Sequence, residues 1–97
     1  MYNRAIIVGR LTADPELKQT QSGTFVCSFR VAADRRFSKD KQADFIPVVA
    51  WRERAEFVSK YFHKGDPIGV EGSIQTRQYE DKTGAKRTAV EVVADNV

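Results

Sequence analysis

The stretch DFIPVVAW, residues 44–51, decides the fold class of this chain. In an extended strand, successive side chains point to opposite faces. One face would then carry Ile46, Val48 and Ala50, and the other Phe45, Pro47, Val49 and Trp51. The first set is enough to face a small core. The second set contains two aromatic rings, Phe45 and Trp51, about 20 Å apart at the usual strand rise, which the core does not explain. Either more protein buries these rings, or they contact something flat and apolar outside this chain.

Composition indicates one ordinary domain, residues 1–97. The chain is 41% hydrophobic and 30% charged, which suffices for a single core and a well-solvated surface. The net charge of +3 and the pI near 9.2 permit a polyanionic partner without requiring one. One Cys and one His give no metal site of the usual zinc type, and no cofactor is expected. Cys27 cannot form an internal disulfide, which fits a cytoplasmic chain. The longest apolar run, residues 5–8, is too short to cross a membrane.

Four further segments are predicted to be strands, because they are rich in β-branched residues or alternate in polarity. They are residues 3–11, 24–33, 68–79 and 88–94. Residues 12–23 contain the turn signals Asp14-Pro15 and Ser22-Gly23. In the fourth strand, Gly69 and Gly72 indicate a bend or bulge. The side chains predicted to face the core there are Ile68, Val70 and Ile74.

The period changes at residues 52–65, RERAEFVSKYFHKG, which are predicted to form a helix. Its apolar stripe consists of Ala55, Val58 and Phe62, with Tyr61 beside it as a further core residue. Gly65 is a natural stop, so His63 and Lys64 would lie in the last turn, where positive charge suits the helix dipole. The helix charges Arg52, Arg54, Lys60 and Lys64 are expected to be solvated.

The order of three strands, one helix and two strands predicts an all-β fold, a five-stranded Greek-key OB barrel with the helix between strands 3 and 4. Closure of such a barrel removes most exposed strand edges. A ferredoxin-like fold would need a helix between the first two strands, where Pro15 and the turn signals argue against one.

Aromatic and basic side chains remain together once a core is assigned. Phe37 lies among basic residues in the loop DRRFSKDK, and Tyr79 follows Arg77 on the fourth strand, which leads into a second basic loop. Single-stranded nucleic acid needs this combination, because unstacked bases pack on flat rings and phosphates need cations. The predicted stacking residues are Phe37, Phe45, Trp51 and Tyr79. The predicted phosphate-binding residues are Arg35, Arg36, Lys39, Arg77, Lys86 and Arg87.

The segments NRAIIVGRLTADPELKQTQSG, DFIPVVAWRERAE, YFHKGDPIGVEGSIQTRQYEDKTGAKR and TAVEVVADNV together resemble the bacterial single-stranded DNA-binding proteins over essentially the whole chain. The resemblance implies an OB fold, a homotetramer, a nucleoid-associated location, and sequence-tolerant binding of single-stranded DNA in replication, repair and recombination. It places the family's stacking aromatics on the same four residues. Its basic contacts fall on Arg77, Arg87 and Lys39.

Several family members carry Trp where this chain has Phe37, Phe45 and Tyr79, so these smaller rings should stack less strongly. Pro47 stands where some members have a basic residue; it has no N–H and is expected at an edge or bulge, with local strand pairing in doubt. Family members usually continue into a tail with an acidic tip that recruits replication and repair proteins. Such partners are expected here only if a tail exists beyond Val97.

Other interpretations remain beside this one. The rings of Phe45 and Trp51 could be buried by a second sheet or by another subunit. Separately, the apolar residues 5–8 offer an edge for subunit pairing. The barrel could be a protein-interaction module of the primosomal kind with secondary DNA binding. Catalysis is not expected, because the sequence holds no convincing carboxylate set, phosphate loop or nucleophile motif. Three further arginines could contact phosphate or a neighbouring subunit: Arg4, Arg10 and Arg30. Cys27 is expected to be buried in the core and unreactive.

Overall fold

The computed structural model describes residues 1–36, 39 and 42–97. Within these residues the chain forms strands and a single helix in an order that matches the prediction, with one additional short strand. The elements are β1 (Ala5–Leu11), β2 (Glu16–Gln19), β3 (Phe25–Asp34), β4 (Ala43–Trp51), α1 (Glu53–Tyr61), β5 (Pro67–Glu80) and β6 (Lys86–Asn96).

Five of the strands form a closed ring in the order β1-β5-β6-β4-β3, which is the predicted OB arrangement. The ring closes where Arg10 and Leu11 of β1 pair with Ala32 and Val31 of β3. Not every pairing is antiparallel, since β4 and β6 run parallel at Val48 and Val92. The extra strand β2 lies outside the ring and pairs only with β3, so the segment predicted as turns contains a short hairpin arm.

The barrel core is built by strand alternation. In β3 the predicted inner residues Cys27, Phe29 and Val31 are buried, and in β4 the inner residues Val48 and Ala50 are buried with them. Helix α1 adds Ala55 and Val58 to the same cluster and closes one end of the barrel. Burial, together with the nearby charge of Glu16, raises the pKa of the Cys27 thiol to about 11. Cys27 is therefore a packing residue, as predicted.

Helix α1 ends at Tyr61, earlier than predicted. Phe62 is extended, with φ −115° and ψ 142°, and its side chain packs against the core. His63 and Lys64 consequently lie beyond the helix, and not in its last turn: the amide of His63 donates to Asp66 at 2.8 Å. The prediction for Tyr61 was also wrong, because its ring is 58% exposed. It lies on the outer surface of the helix, with its centre 5.1 Å from that of the Phe57 ring and its plane tilted by 50° to it.

A β-bulge shapes the pairing of β5 with β6, as the glycines indicated. The register shifts between Glu71 and Gly72, so that Asp95 of β6 is the extra residue between Ala94 and Asn96. The carbonyl of Asp95 accepts a hydrogen bond from Arg54 Nε, and its carboxylate accepts one from Arg4 at 2.9 Å. Beyond the bulge the hairpin leaves the barrel. Ile74, predicted to be in the core, is therefore 47% exposed.

Candidate nucleic-acid interface

The outer face of β3 and β4 carries the two rings that the sequence singled out. Trp51 stands opposite Val26 and Phe45 opposite Ala32, at the two ends of an unbroken antiparallel pairing. Their exposed fractions are 41% for Trp51 and 59% for Phe45. Both rings therefore face outward, and none of the residues that the structure describes buries them.

Pro47 lies midway along this face, opposite Arg30. The pairing of β3 with β4 continues through Pro47 without interruption. The expected disturbance of local strand pairing is therefore absent between these two strands. The other neighbour of β4, strand β6, first pairs at Val48. Pro47 is thus at an edge on that side, where its missing N–H costs no ladder hydrogen bond.

The projecting hairpin of β5 and β6 supplies the second part of the surface. Tyr79 stands directly opposite Arg87, and the guanidinium of Arg77 lies 5.5 Å from the centre of the Tyr79 ring. At the tip, Asp81 accepts hydrogen bonds from the amide of Thr83 at 2.9 Å and from the guanidinium of Arg87 at 2.9 Å. The register places Arg77, Tyr79 and Arg87 on one side of the hairpin. Hydrogen bonds from Thr83 and Arg87 lower the pKa of Asp81 to about 2.

Carboxylates already hold three of the predicted phosphate-binding arginines. Arg35 binds both oxygens of Asp44, at 2.8 Å to Oδ1 and 3.1 Å to Oδ2, and this contact lowers the pKa of Asp44. The Nε of Arg77 lies 3.2 Å from Glu91. Arg87 pairs with Asp81 as described. All three arginine side chains remain more than half exposed, so they stay accessible to a competing anion.

A groove of about 620 Å³ lies at the Trp51 end of the same face. It runs between the turn that joins β2 to β3 and the junction of β4 with α1. Its lining comprises Thr20, Ser22, Thr24, Trp51, Arg52 and Arg54.

Comparison with known proteins identifies the family. The model of the single-strand binding protein family matches residues 2–97. The chain belongs to this family.

Relatives within the family are similar over almost the whole chain. A single-stranded DNA-binding protein of Clostridium tetani is 56% identical over 98% of this chain and 68% of its own length. Single-stranded DNA-binding protein 1 of Staphylococcus aureus is 49% identical over 100% of this chain and 64% of its own length. This chain thus spans about two thirds of the curated relatives it matches. Family membership supports single-stranded DNA binding, and these relatives are named for binding and not for a reaction.

The structure brings most of the predicted residues to one side of the molecule. Phe45 and Trp51 lie on the sheet, and Tyr79, Arg77 and Arg87 on the hairpin. Lys39, Lys86 and Arg36 are exposed as well, while the predicted stacking residue Phe37 lies outside the described residues. Among the described residues, no helix is long and apolar enough to cross a membrane.

From the sequence Arg30 was undecided, and the carboxylates were weighed only as a catalytic set and not as partners of the arginines. Arg30 lines the centre of the outer face beside Pro47 and Arg77. Glu91 stands opposite Gln75, diagonal to Arg77, and the Thr83-Gly84 turn fixes that register. Counting back along both strands from this turn would have found the pair. Arg35 and Asp44 are likewise diagonal to each other, because Asp44 stands opposite Ala33 in the β3–β4 pairing and the amide of Arg35 donates to the carbonyl of Gln42 at 2.9 Å.

Proposed function

We propose that this chain binds single-stranded DNA without reading its sequence and without catalysis, and that it serves DNA replication, repair and recombination. Bases stack on Phe37, Phe45, Trp51 and Tyr79. Phosphates contact Arg35, Arg36, Lys39, Arg77, Lys86 and Arg87. Weak sequence preference follows because every base offers a π-face to an aromatic ring.

The observation that carries this proposal is the pair of exposed rings on one outer sheet face. A large aromatic ring normally favours burial, so two rings on the same strand that are 41% and 59% exposed indicate an apolar partner. The arginines beside them favour a partner that is both flat and anionic. Stacking contributes roughly 1–3 kcal/mol per base, which suffices for useful affinity when several bases bind together.

The ion pairs on this surface are compatible with phosphate binding. Pairs between exposed charged side chains contribute little to stability, because water screens them. A phosphate that replaces Asp44 beside Arg35, where both side chains are about half exposed, therefore exchanges one anion for another at small cost. Until DNA arrives, the carboxylates hold the guanidinium groups in place.

Fluorescence of Trp51 tests the proposal directly, because it is the only tryptophan. Titration with oligo-dT should quench its emission, and the affinity should fall with salt at a log–log slope of about −0.7 per neutralised phosphate. Duplex DNA should compete poorly. Unchanged emission at low salt would contradict the stacking model, and equal binding of duplex would favour plain electrostatic attraction or the primosomal alternative.

We also propose that the chain assembles as a homo-oligomer, with a tetramer expected. Ile6 and Val8 of β1 are 71% and 73% exposed, and within the described residues the strand partner at these positions is β5 alone. An open apolar edge of this kind favours pairing with a second copy. Light scattering at micromolar concentration should give the mass of a tetramer, which Ile6→Glu should reduce. A monomeric mass for the unmodified chain would contradict the proposal.

A further inference from the structure

The groove at the Trp51 end of the outer face has the chemistry of an anion site. Three of its lining residues carry hydroxyl groups and two carry guanidinium groups, and its described lining includes no carboxylate. This differs from the rest of the outer face, where Arg77 lies beside Glu91 and Arg35 beside Asp44. The groove therefore offers donors that no internal anion occupies.

The hydroxyl groups form a chain within the turn between β2 and β3. Thr20 Oγ1 lies 2.9 Å from Ser22 Oγ, which lies 3.2 Å from Thr24 Oγ1. Each of the three hydroxyls has one proton, and the chain uses two of them in its two internal bonds. One O–H of the three therefore remains to donate to a bound acceptor, whichever way the two bonds run.

Arg52 is held in an unusual backbone conformation at the edge of this groove. Its φ of 59° lies in the left-handed region, and it is the only non-glycine residue there among those described. Its amide donates to Phe25 at 2.8 Å and its carbonyl accepts from Glu56 at 3.1 Å, so the main chain is fixed on both sides. A glycine would adopt this conformation without strain. An arginine retained at such a position suggests that its side chain has a role.

The guanidinium groups of Arg52 and Arg54 differ in their contacts within the free chain. Arg54 donates through Nε to the carbonyl of Asp95 in the bulge, which orients its two terminal nitrogens. Arg52 makes no ion pair within the part of the chain that the structure describes. Acidic side chains of the first helical turn, Glu53 and Glu56, are outside the lining of the groove.

We infer that this groove binds a backbone phosphate of the nucleotide whose base stacks on Trp51, with Arg52 as its principal cation and the one remaining O–H of the Thr20–Ser22–Thr24 hydroxyl chain as a neutral donor. The inference rests on the proposed function, since it places one more phosphate of the same strand. It extends the DNA path past Trp51 onto the turn between β2 and β3. It also replaces the expectation that Arg52 is an ordinary solvated helix charge.

The test compares Arg52→Gly with Lys60→Gln, which removes one charge from an exposed site elsewhere on the helix. Oligo-dT binding is followed by Trp51 quenching over a range of salt concentrations. Arg52→Gly should weaken binding roughly tenfold at low salt, the order expected for one charge-assisted hydrogen bond, and make the log–log salt slope shallower by about 0.7. Its thermal midpoint should equal or exceed that of the unmodified chain, because glycine relieves the backbone strain.

A second variant, Ser22→Ala with Thr24→Val, removes two hydroxyls of this chain and keeps Thr20, whose hydroxyl accepts from the Thr24 amide at 3.2 Å. It should lower affinity and leave the salt slope unchanged, since no charge is lost. Unchanged affinity would overturn the assignment of these hydroxyls.

Oligo-dT carrying a neutral methylphosphonate at one linkage at a time provides an independent probe. When the neutral linkage is at the position that occupies the groove, the modified oligo-dT should bind the unmodified chain less tightly. The Arg52→Gly variant should bind the modified and the ordinary oligo-dT equally well. If Arg52→Gly matches Lys60→Gln in affinity, slope and methylphosphonate response, the groove is not a phosphate site. If the unmodified chain shows no quenching with oligo-dT at all, the proposed function itself fails.

Discussion

Replacing Gly72 by alanine should disrupt the barrel at the bulge between β5 and β6. A Cβ atom on Gly72 would overlap the carbonyl oxygen of Val93, lie 2.8 Å from the carbonyl carbon and lie 3.1 Å from the Cα of Ala94. Carbon atoms in good contact are about 3.5–4.0 Å apart, so the backbone of β6 would have to move by roughly 0.7 Å or more. The obstacle is main chain, which no rotamer change can relieve.

The magnitude follows from the two losses that this shift causes. Overpacking in a well-packed region costs about 1–3 kcal/mol, and weakening one neighbouring ladder hydrogen bond adds about 1 kcal/mol. We therefore expect Gly72→Ala to reduce the free energy of unfolding by about 2–4 kcal/mol. For a domain of this size, the thermal midpoint should fall by about 10–25 °C.

Gly69→Ala, on the same strand, is the matched control. A Cβ there would lie 3.9 Å from Val8 Cγ2, an ordinary contact, and its φ is not in the left-handed region. Alanine should be neutral or stabilising by about 0.4–1 kcal/mol, because it restricts the unfolded chain. Both variants are measured by circular dichroism on heating and by Trp51 emission in urea. Equal midpoints for the two variants would refute the tight contact at Gly72, and with it the bulge geometry that directs the hairpin.

Three further outcomes are expected. Phe45→Ala should weaken oligo-dT binding by roughly 1–3 kcal/mol, measured by Trp51 quenching. Phe57→Ala, which removes an exposed ring on the helix, should leave binding unchanged, and equal effects of the two substitutions would contradict a specific stacking role. Asp44→Asn should release Arg35 to DNA, tighten binding and steepen the salt slope by up to about 0.7; an unchanged slope would argue that Arg35 only closes its loop. Because hydrogen bonds depress the pKa of Asp81 from 3.8 to about 2, its stabilisation of the hairpin tip is complete above pH 3.8 and lost as pH falls through about 2. An NMR pH titration of the Thr83 amide checks this, and a midpoint near 4 would contradict it.

The fold was predictable because the alternation of apolar and polar residues is strong in β3 and β4, the two strands that carry the outer face. Phe29 and Val31 in β3 and Val48 and Ala50 in β4 follow period two, so the faces of both strands could be assigned from the sequence. Gly72 also marked its bulge correctly. Where alternation was absent, prediction failed: β2, with the sequence ELKQ, is exposed throughout and pairs on one side only.

Tertiary contacts explain the remaining differences. Helix α1 ends at Tyr61 because Phe62 turns into the core and Asp66 and Asp14 bind the following amides. Local propensity favours a longer helix, and only the folded barrel supplies these competing partners. The left-handed backbone of Arg52 is equally invisible in the sequence, since nothing local distinguishes it from any other arginine before a helix.

The distribution of carboxylates makes the Trp51 end of the outer face differ from the hairpin of β5 and β6. At Arg77 and Arg87 a bound phosphate replaces Glu91 or Asp81, so each contact gains less than a free cation would, and stacking should supply a larger share of the affinity there. In the groove beside Trp51, Arg52 has no such internal partner among the described residues. A phosphate that binds there forms a new ion pair without breaking an existing one. Salt sensitivity should therefore be concentrated at the Trp51 end. Stacking on Tyr79, on the projecting hairpin, should change little with salt.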